Sequence, residues 1–121
     1  MQERHWGRVV NIASNTVWLA SSMRLHYITS KAALIGFSRA LATEVGESGI
    51  TVNAIAPGLT RTETTTSGLP GSLFDSVAAQ QVIKRSEVPE DLVGTVAFLT
   101  SDDAAFITGQ TISVDGGLVR L

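Results

Sequence analysis

Several residue types that characterise other protein classes are scarce or missing in this chain. Its 121 residues include no cysteine, which excludes disulfide bonds, thiolate metal sites and thiol catalysis, and fits a reducing, cytoplasmic setting. The net charge is only −2, which gives no electrostatic case for binding nucleic acid or an anionic membrane. No apolar run approaches the roughly 18 residues of a membrane span. We therefore expect a cytoplasmic protein that binds neither nucleic acid nor membrane.

Metal-ligating residues are sparse as well. The two histidines, His5 and His26, stand far apart in the sequence, and no cysteine is available to join them. A zinc site needs three or four such ligands at characteristic spacing. The sequence therefore predicts no metal site.

Apolar residues, by contrast, make up 44% of the chain and recur at regular spacing. Short apolar runs predict buried strands at residues 9–13, 50–56 and 111–114. Helical spacing and terminal signals predict helices at residues 26–45, 73–83 and 89–100. An alternation of strands and helices indicates an α/β fold with parallel strands and right-handed crossovers.

Two stretches lack a clear period. Residues 14–25 are polar and aromatic, and we expect a loop there. Residues 59–72 are rich in Thr, Ser and Gly, and we expect a mobile loop that acts as a lid over a neighbouring site.

The most informative residues are Ser14, Tyr27 and Lys31. The tyrosine and the lysine are four residues apart, so on a helix they share one face. An ammonium beside a phenol favours the phenolate, and a serine hydroxyl from a strand end can bond the same substrate oxygen. Together they predict proton transfer to or from a carbonyl or alcohol oxygen. The simpler alternatives are a packed tyrosine, a solvated lysine and a serine that belongs to a turn.

With their surroundings, these residues resemble the C-terminal half of a short-chain dehydrogenase/reductase. The resemblance is carried by the strand and serine at 7–14, by 27–33, by 50–58 with Thr62, and by 107–117. It covers essentially the whole chain. It implies the C-terminal part of a Rossmann-like doubly wound parallel sheet, with three strands and crossover helices, as one domain over residues 1–121.

The resemblance also implies roles. Tyr27 is then the general acid in reduction and the general base in oxidation, Lys31 also bonds the nicotinamide ribose, and Ser14 holds the substrate oxygen. The cofactor is NAD or NADP. Its nicotinamide lies against Pro57 and Gly58, and its carboxamide meets the Thr60 main chain and the Thr62 hydroxyl. An isolated turn at Pro57-Gly58 is the alternative.

Part of the family pattern is missing from this sequence. The Gly-rich turn that cradles the pyrophosphate, G-x-x-x-G-x-G, does not occur, nor does the family's catalytic asparagine. Asn11 lies in the serine's own strand and does not take that role. We therefore expect a truncated reading frame or expressed fragment without the dinucleotide-phosphate-binding half. For the same reason we expect negligible dehydrogenase activity from this chain alone. The alternative function is an inactive fragment that folds or oligomerises without binding cofactor.

Within the family, residues 14–33 look most like 1-phenylethanol dehydrogenases, and the likeness to 3-oxoacyl carrier-protein reductases is also good. An aromatic alcohol or a 3-oxoacyl compound is the substrate this implies. Trp18, Leu19 and His26 are candidates to line its pocket, although His26 fits a packed or surface residue better. We also expect a homo-oligomer, formed through the family's interfaces or at an unpaired edge of the first strand.

Overall fold

Three parallel strands form the sheet in the computed structural model, which describes residues 1–120. They are β1 (Gly7–Ile12), β2 (Ile50–Pro57) and β3 (Thr111–Val114), and β2 lies in the middle. Val9 pairs with Val52 across β1 and β2, and Ile55 pairs with Ile112 across β2 and β3. The predicted α/β class and the parallel strands are confirmed.

Five helices and two short 3-10 helices connect these strands in the described part of the chain, and a third 3-10 helix precedes β1. The helices are α1 (Thr16–Leu19), α2 (Leu25–Val45), α3 (Glu63–Gly68), α4 (Gly71–Gln80) and α5 (Glu90–Thr100). The 3-10 helices are Gln2–Arg4, Gly46–Ser48 and Asp102–Ala104. Within residues 1–120 we find no helix with the length and apolar character to cross a membrane.

The helices cover both faces of the sheet, which explains why the strands are apolar without alternation. On one face α2 packs against β2, where Ile35 and Ala42 belong to clusters with alternate strand residues such as Val52 and Ala54. On the other face, Leu99 of α5 belongs to a cluster around Ile55. Because both faces are buried, all eight residues of β2 are buried.

Both predicted loops contain helix, so that part of the prediction is wrong. The stretch 59–72 holds α3, whose first turn is capped by Thr62: its hydroxyl accepts from the Thr65 N–H, and the Thr65 hydroxyl accepts from the Thr62 N–H. This reciprocal capping satisfies amide groups that a bare helix end leaves without partners. The stretch 14–25 holds α1 and ends at the first residue of α2.

The sheet topology determines where a site can form. Ser14 follows the end of β1, Pro57-Gly58 ends β2, and Asp115 follows β3. Because the strands are parallel, these three chain segments meet at one edge of the sheet, the edge at which open α/β sheets bind their ligands.

Candidate active site

A cleft of about 620 Å³ opens at this edge of the sheet, within the size range of small-molecule sites. Ser14, Tyr27 and Lys31 all line it. Most of the other lining side chains are apolar: Ile12, Ala13, Leu19, Pro57, Leu59, Leu69, Leu73, Val77, Pro89, Leu92 and Leu118. The charged residues of the lining are Arg24 and Lys31, and no carboxylate of the described chain joins them.

Ser14 is held at the mouth of the cleft by continued pairing beyond β1. The Ala13 N–H donates to the Ile55 carbonyl at 2.8 Å, and the Asn15 N–H donates to the Pro57 carbonyl at 3.0 Å. The buried Ser14 hydroxyl oxygen accepts from the Thr16 hydroxyl at 2.9 Å. A serine hydroxyl has one proton to donate, and this arrangement leaves that proton available to a group in the cleft.

Tyr27 and Lys31 lie one turn apart near the start of α2. The Lys31 Nζ is 5.7 Å from the centre of the Tyr27 ring and donates a hydrogen bond to the Ile12 carbonyl at 2.8 Å. That bond ties the first turns of α2 to the end of β1. Tyr27 remains 36% exposed, so a ligand in the cleft can reach it.

The wall of the cleft that follows β2 contains Pro57, Gly58, Thr60 and Thr62. The Thr62 hydroxyl oxygen accepts from the Thr65 N–H at 3.2 Å and also lies 3.1 Å from the Thr65 hydroxyl oxygen. The Thr65 hydroxyl gives its own proton to the Thr60 carbonyl at 2.8 Å, so the Thr62 hydroxyl is the donor in the contact between the two hydroxyls. It keeps one lone pair, which can accept a hydrogen bond from a ligand.

Glu87 stands behind this wall and was not predicted. It is only 4% exposed. Its Oε2 accepts from the Gly58 N–H at 2.9 Å, and its Oε1 accepts from the Thr60 hydroxyl at 2.7 Å. Burial raises the pKa of the Glu87 carboxyl, while the hydrogen bonds from Thr60 and Gly58 act in the opposite direction.

Asp115 is a second buried carboxylate that sequence reasoning treated only as part of a turn. Its Oδ2 accepts from the Asn15 side-chain amide at 3.0 Å, so it joins the residue next to Ser14 to the end of β3. It also accepts from the backbone N–H groups of Gly117, Leu118 and Val119. Asp115 therefore fixes the turn that carries Leu118 into the cleft wall.

Of the three residues predicted to contact the substrate, Trp18, Leu19 and His26, only one lies in the lining of the cleft. Leu19 lines the cleft, whereas Trp18 and His26 are exposed residues outside its lining. A substrate contact for any of them stays a prediction. Asn11 donates to the Ser38 hydroxyl at 2.9 Å, a contact between β1 and α2.

Comparison with known proteins identifies the relatives of this arrangement. The family model described as enoyl-(acyl carrier protein) reductase matches residues 1–119. The chain is 41% identical to the 3-oxoacyl-(acyl-carrier-protein) reductase of Pseudomonas aeruginosa over 118 residues, which are 98% of this chain and 47% of the relative. It is also 41% identical to a hydroxy(phenyl)methylsuccinyl-CoA dehydrogenase subunit of Thauera aromatica over 117 residues, which are 97% of this chain and 46% of that subunit.

The solved structures agree. The crystal structure of a 3-oxoacyl-(acyl-carrier protein) reductase from Brucella melitensis superposes with a TM-score of 0.91 at 34% identity, covering 100% of this chain and 45% of that chain. The chain thus spans about half the length of the relatives that it matches. It belongs to the short-chain dehydrogenase/reductase family.

Proposed function

We propose that this protein provides the Ser-Tyr-Lys site of an NAD(P)-dependent oxidoreductase that interconverts a secondary alcohol and a ketone. The observation that carries the proposal is the convergence of Ser14, Tyr27 and Lys31 on one cleft, beside a wall suited to a nicotinamide. These three side chains come from the end of one strand and from one helix, so the fold itself positions them.

In this proposal the protein's residues handle the proton. Ser14 donates its free hydroxyl proton to the substrate oxygen and holds that oxygen beside Tyr27. The Tyr27 phenol gives up its proton as the ketone is reduced, and the phenolate takes a proton as the alcohol is oxidised. Lys31 places a positive charge near the ring that favours the phenolate. The bound nicotinamide supplies or accepts the hydride.

The residues at the second wall fit the nicotinamide end of such a cofactor. The Thr62 hydroxyl oxygen keeps one lone pair, which matches an N–H of the carboxamide. Pro57 and Gly58 line the same cleft as Tyr27 and Lys31, and the missing side chain of Gly58 lets a ligand approach the backbone closely. Tyr27, Lys31, Pro57, Gly58, Thr60 and Thr62 are the residues that we propose to contact NAD or NADP.

For the substrate we propose an aromatic alcohol or a 3-oxoacyl compound. The apolar side chains of the cleft, such as Leu19, Leu69 and Leu73, suit an acyl chain or a ring. The relatives act on 3-oxoacyl groups carried by a protein and on a phenyl-bearing CoA ester, by their names, and this supports both classes.

Cofactor binding is the first test. NADH and NADPH are titrated separately into the purified 121-residue chain by calorimetry, and any complex is then offered acetophenone and an acetoacetyl thioester. We expect one dinucleotide to bind weakly through its nicotinamide end, because the chain has no Gly-rich turn for the pyrophosphate, and we expect negligible turnover by this chain alone. Lack of binding by both dinucleotides favours the rival hypothesis, a chain that folds or assembles without taking up cofactor.

A further inference from the structure

The buried residue Glu87 makes three contacts with one short stretch of chain, two through its carboxylate and one through its main chain. Its two side-chain oxygens accept from Gly58 and Thr60, as given above, and its main-chain carbonyl accepts from the Arg61 N–H at 2.8 Å. Glu87 thereby fixes the residues that follow β2, although it is at least 26 positions away from them in the sequence. The same stretch forms the second wall of the cleft.

Glu87 and Gly58 also fit each other sterically. A Cβ atom built on Gly58 would stand 2.7 Å from the Glu87 Oε2 and 3.0 Å from the Cβ of Asp115. Real Cβ atoms essentially never come within 3.0 Å of another atom, so the Glu87 carboxylate occupies space that a side chain at position 58 would need. Glu87 and Asp115 together therefore limit the space at position 58, and in the present arrangement only a glycine fits there.

This location is unfavourable for a charge. The carboxylates of Asp91 and Asp115 act on Glu87 in the same direction as burial, and the nearby Arg85 forms an ion pair with Asp91. A position that served only to fill space would be occupied more cheaply by an apolar side chain. The carboxylate is therefore explained by the two hydrogen bonds that it accepts, and charged acceptors form stronger bonds than neutral ones.

We propose that Glu87 is a positioning residue for the nicotinamide end of the cofactor site. It fixes the course of residues 58–62, and with it the Thr60 main chain and the Thr62 hydroxyl. Glu87 touches neither substrate nor cofactor. The inference rests on the proposed function for the identity of the ligand, but the ordering of residues 58–62 is a property of the chain alone.

The test compares Glu87→Ala, which removes both acceptors, with Glu87→Gln, which keeps one carbonyl oxygen for Gly58 and an amide that Thr60 can accept from. Glu90→Ala is the matched control, because Glu90 is an exposed glutamate in the same region. Amide hydrogen exchange at residues 58–62 is measured without ligand, and NADH and NADPH affinity is measured by calorimetry. For Glu87→Ala we expect amide exchange at residues 58–62 to be faster than in wild type by about tenfold or more. The dissociation constant for the dinucleotide should rise by a similar factor. For Glu87→Gln and Glu90→Ala, both the exchange rates at residues 58–62 and the dissociation constant should stay within about threefold of the wild-type values.

Thr60→Val provides a second variant that is close to wild type in shape and removes only one of the bonds. It should give an intermediate increase in exchange at residues 58–62. Unchanged exchange there in both Glu87→Ala and Thr60→Val overturns the proposal, and so does an equal increase throughout the three strands, which would mean general destabilisation. If wild type binds neither dinucleotide, the proposed function fails, and the exchange comparison still decides whether Glu87 orders this wall.

Discussion

Tyr27 carries the proton in the proposed reaction, and its ring is the part of the site that a mutation can alter most cleanly. Tyr27→Phe keeps the ring near Lys31 and deletes only the hydroxyl. In a protein that turns over, kcat should fall by ~10²–10⁴-fold, the usual contribution of a general acid or base. Steady-state kinetics check this, and a decrease of only a few-fold would assign the proton to another group.

At Glu87 the same reasoning predicts how stability depends on pH. Because burial raises the pKa of this carboxyl above its ordinary value of 4.5, the folded chain holds the proton more tightly than the unfolded chain. The stabilisation from Glu87 is thus fully present below that ordinary value and is lost as the pH rises through the raised, folded-state pKa. Glu87→Gln cannot lose a proton, so its free energy of unfolding should rise relative to that of wild type across this range.

Denaturant unfolding of the two proteins at a series of pH values is the measurement. Asp91 serves as the internal contrast: its hydrogen bond and ion pair with Arg85 lower its pKa to about 2, so its contribution is lost only as the pH falls towards that value. A constant difference between wild type and Glu87→Gln from acidic to neutral pH would contradict the expectation.

The site residues differ in how far the sequence could predict them. Tyr27 and Lys31 follow from local spacing, because one helical turn fixes their relative positions. Ser14 joins them through the packing of α2 on the end of β1, where Lys31 bonds the Ile12 carbonyl. Glu87 carries no such signal, since a glutamate is usually exposed and its burial here depends on contacts with Gly58 and Thr60 far away in sequence. The sequence likewise showed Asp115 only as part of a turn, because its bond to Asn15 joins residues far apart in the sequence.

At the scale of elements, α3 depends on its first residues. Thr62→Ala removes the hydroxyl that caps α3, and cap removal typically costs ~0.5–2 kcal/mol. We expect faster amide exchange in Glu63–Gly68 for Thr62→Ala and little change for Thr62→Ser, which keeps the hydroxyl. Equal exchange in all three proteins would mean that contacts other than the cap stabilise the helix.

That cap also explains why α3 was missed while α2 and α5 were predicted. Thr and Ser are poor helix formers in the interior of a helix, so the composition of this stretch indicates a loop. The residue that completes the capping box is Thr65, where the usual pattern has Glu or Gln, which removes the standard sequence signal. By contrast, α2 and α5 have apolar residues at helical spacing, and packing on the sheet stabilises them.

At the scale of the whole molecule, the remaining prediction is self-association. β1 has a partner strand on one side only within residues 1–120, and large apolar side chains remain on the surface, among them Phe37, Val93 and Phe106. Such features favour assembly with other chains. Light scattering at micromolar concentration should give a mass above that of one chain.

A pair of variants on α2 tests which surface is involved. Phe37→Glu places a charge on the exposed apolar part of the helix, whereas Thr43→Glu places one at an exposed polar position of the same helix. The first should lower the measured mass and the second should not. A monodisperse monomer for wild type, with cooperative thermal unfolding, would contradict the prediction of an oligomer.

The hydrogen bond between Asn15 and Asp115 has a consequence for the order of folding. It joins residues 100 positions apart, and it lies next to Ser14. During synthesis, Ser14, Tyr27 and Lys31 leave the ribosome long before Asp115 does, and contacts of such long separation in sequence form slowly. We therefore expect this end of the sheet to reach its final geometry only when β3 and the turn after it have joined the sheet, and fraying of that turn to disturb Ser14 before the core around β2.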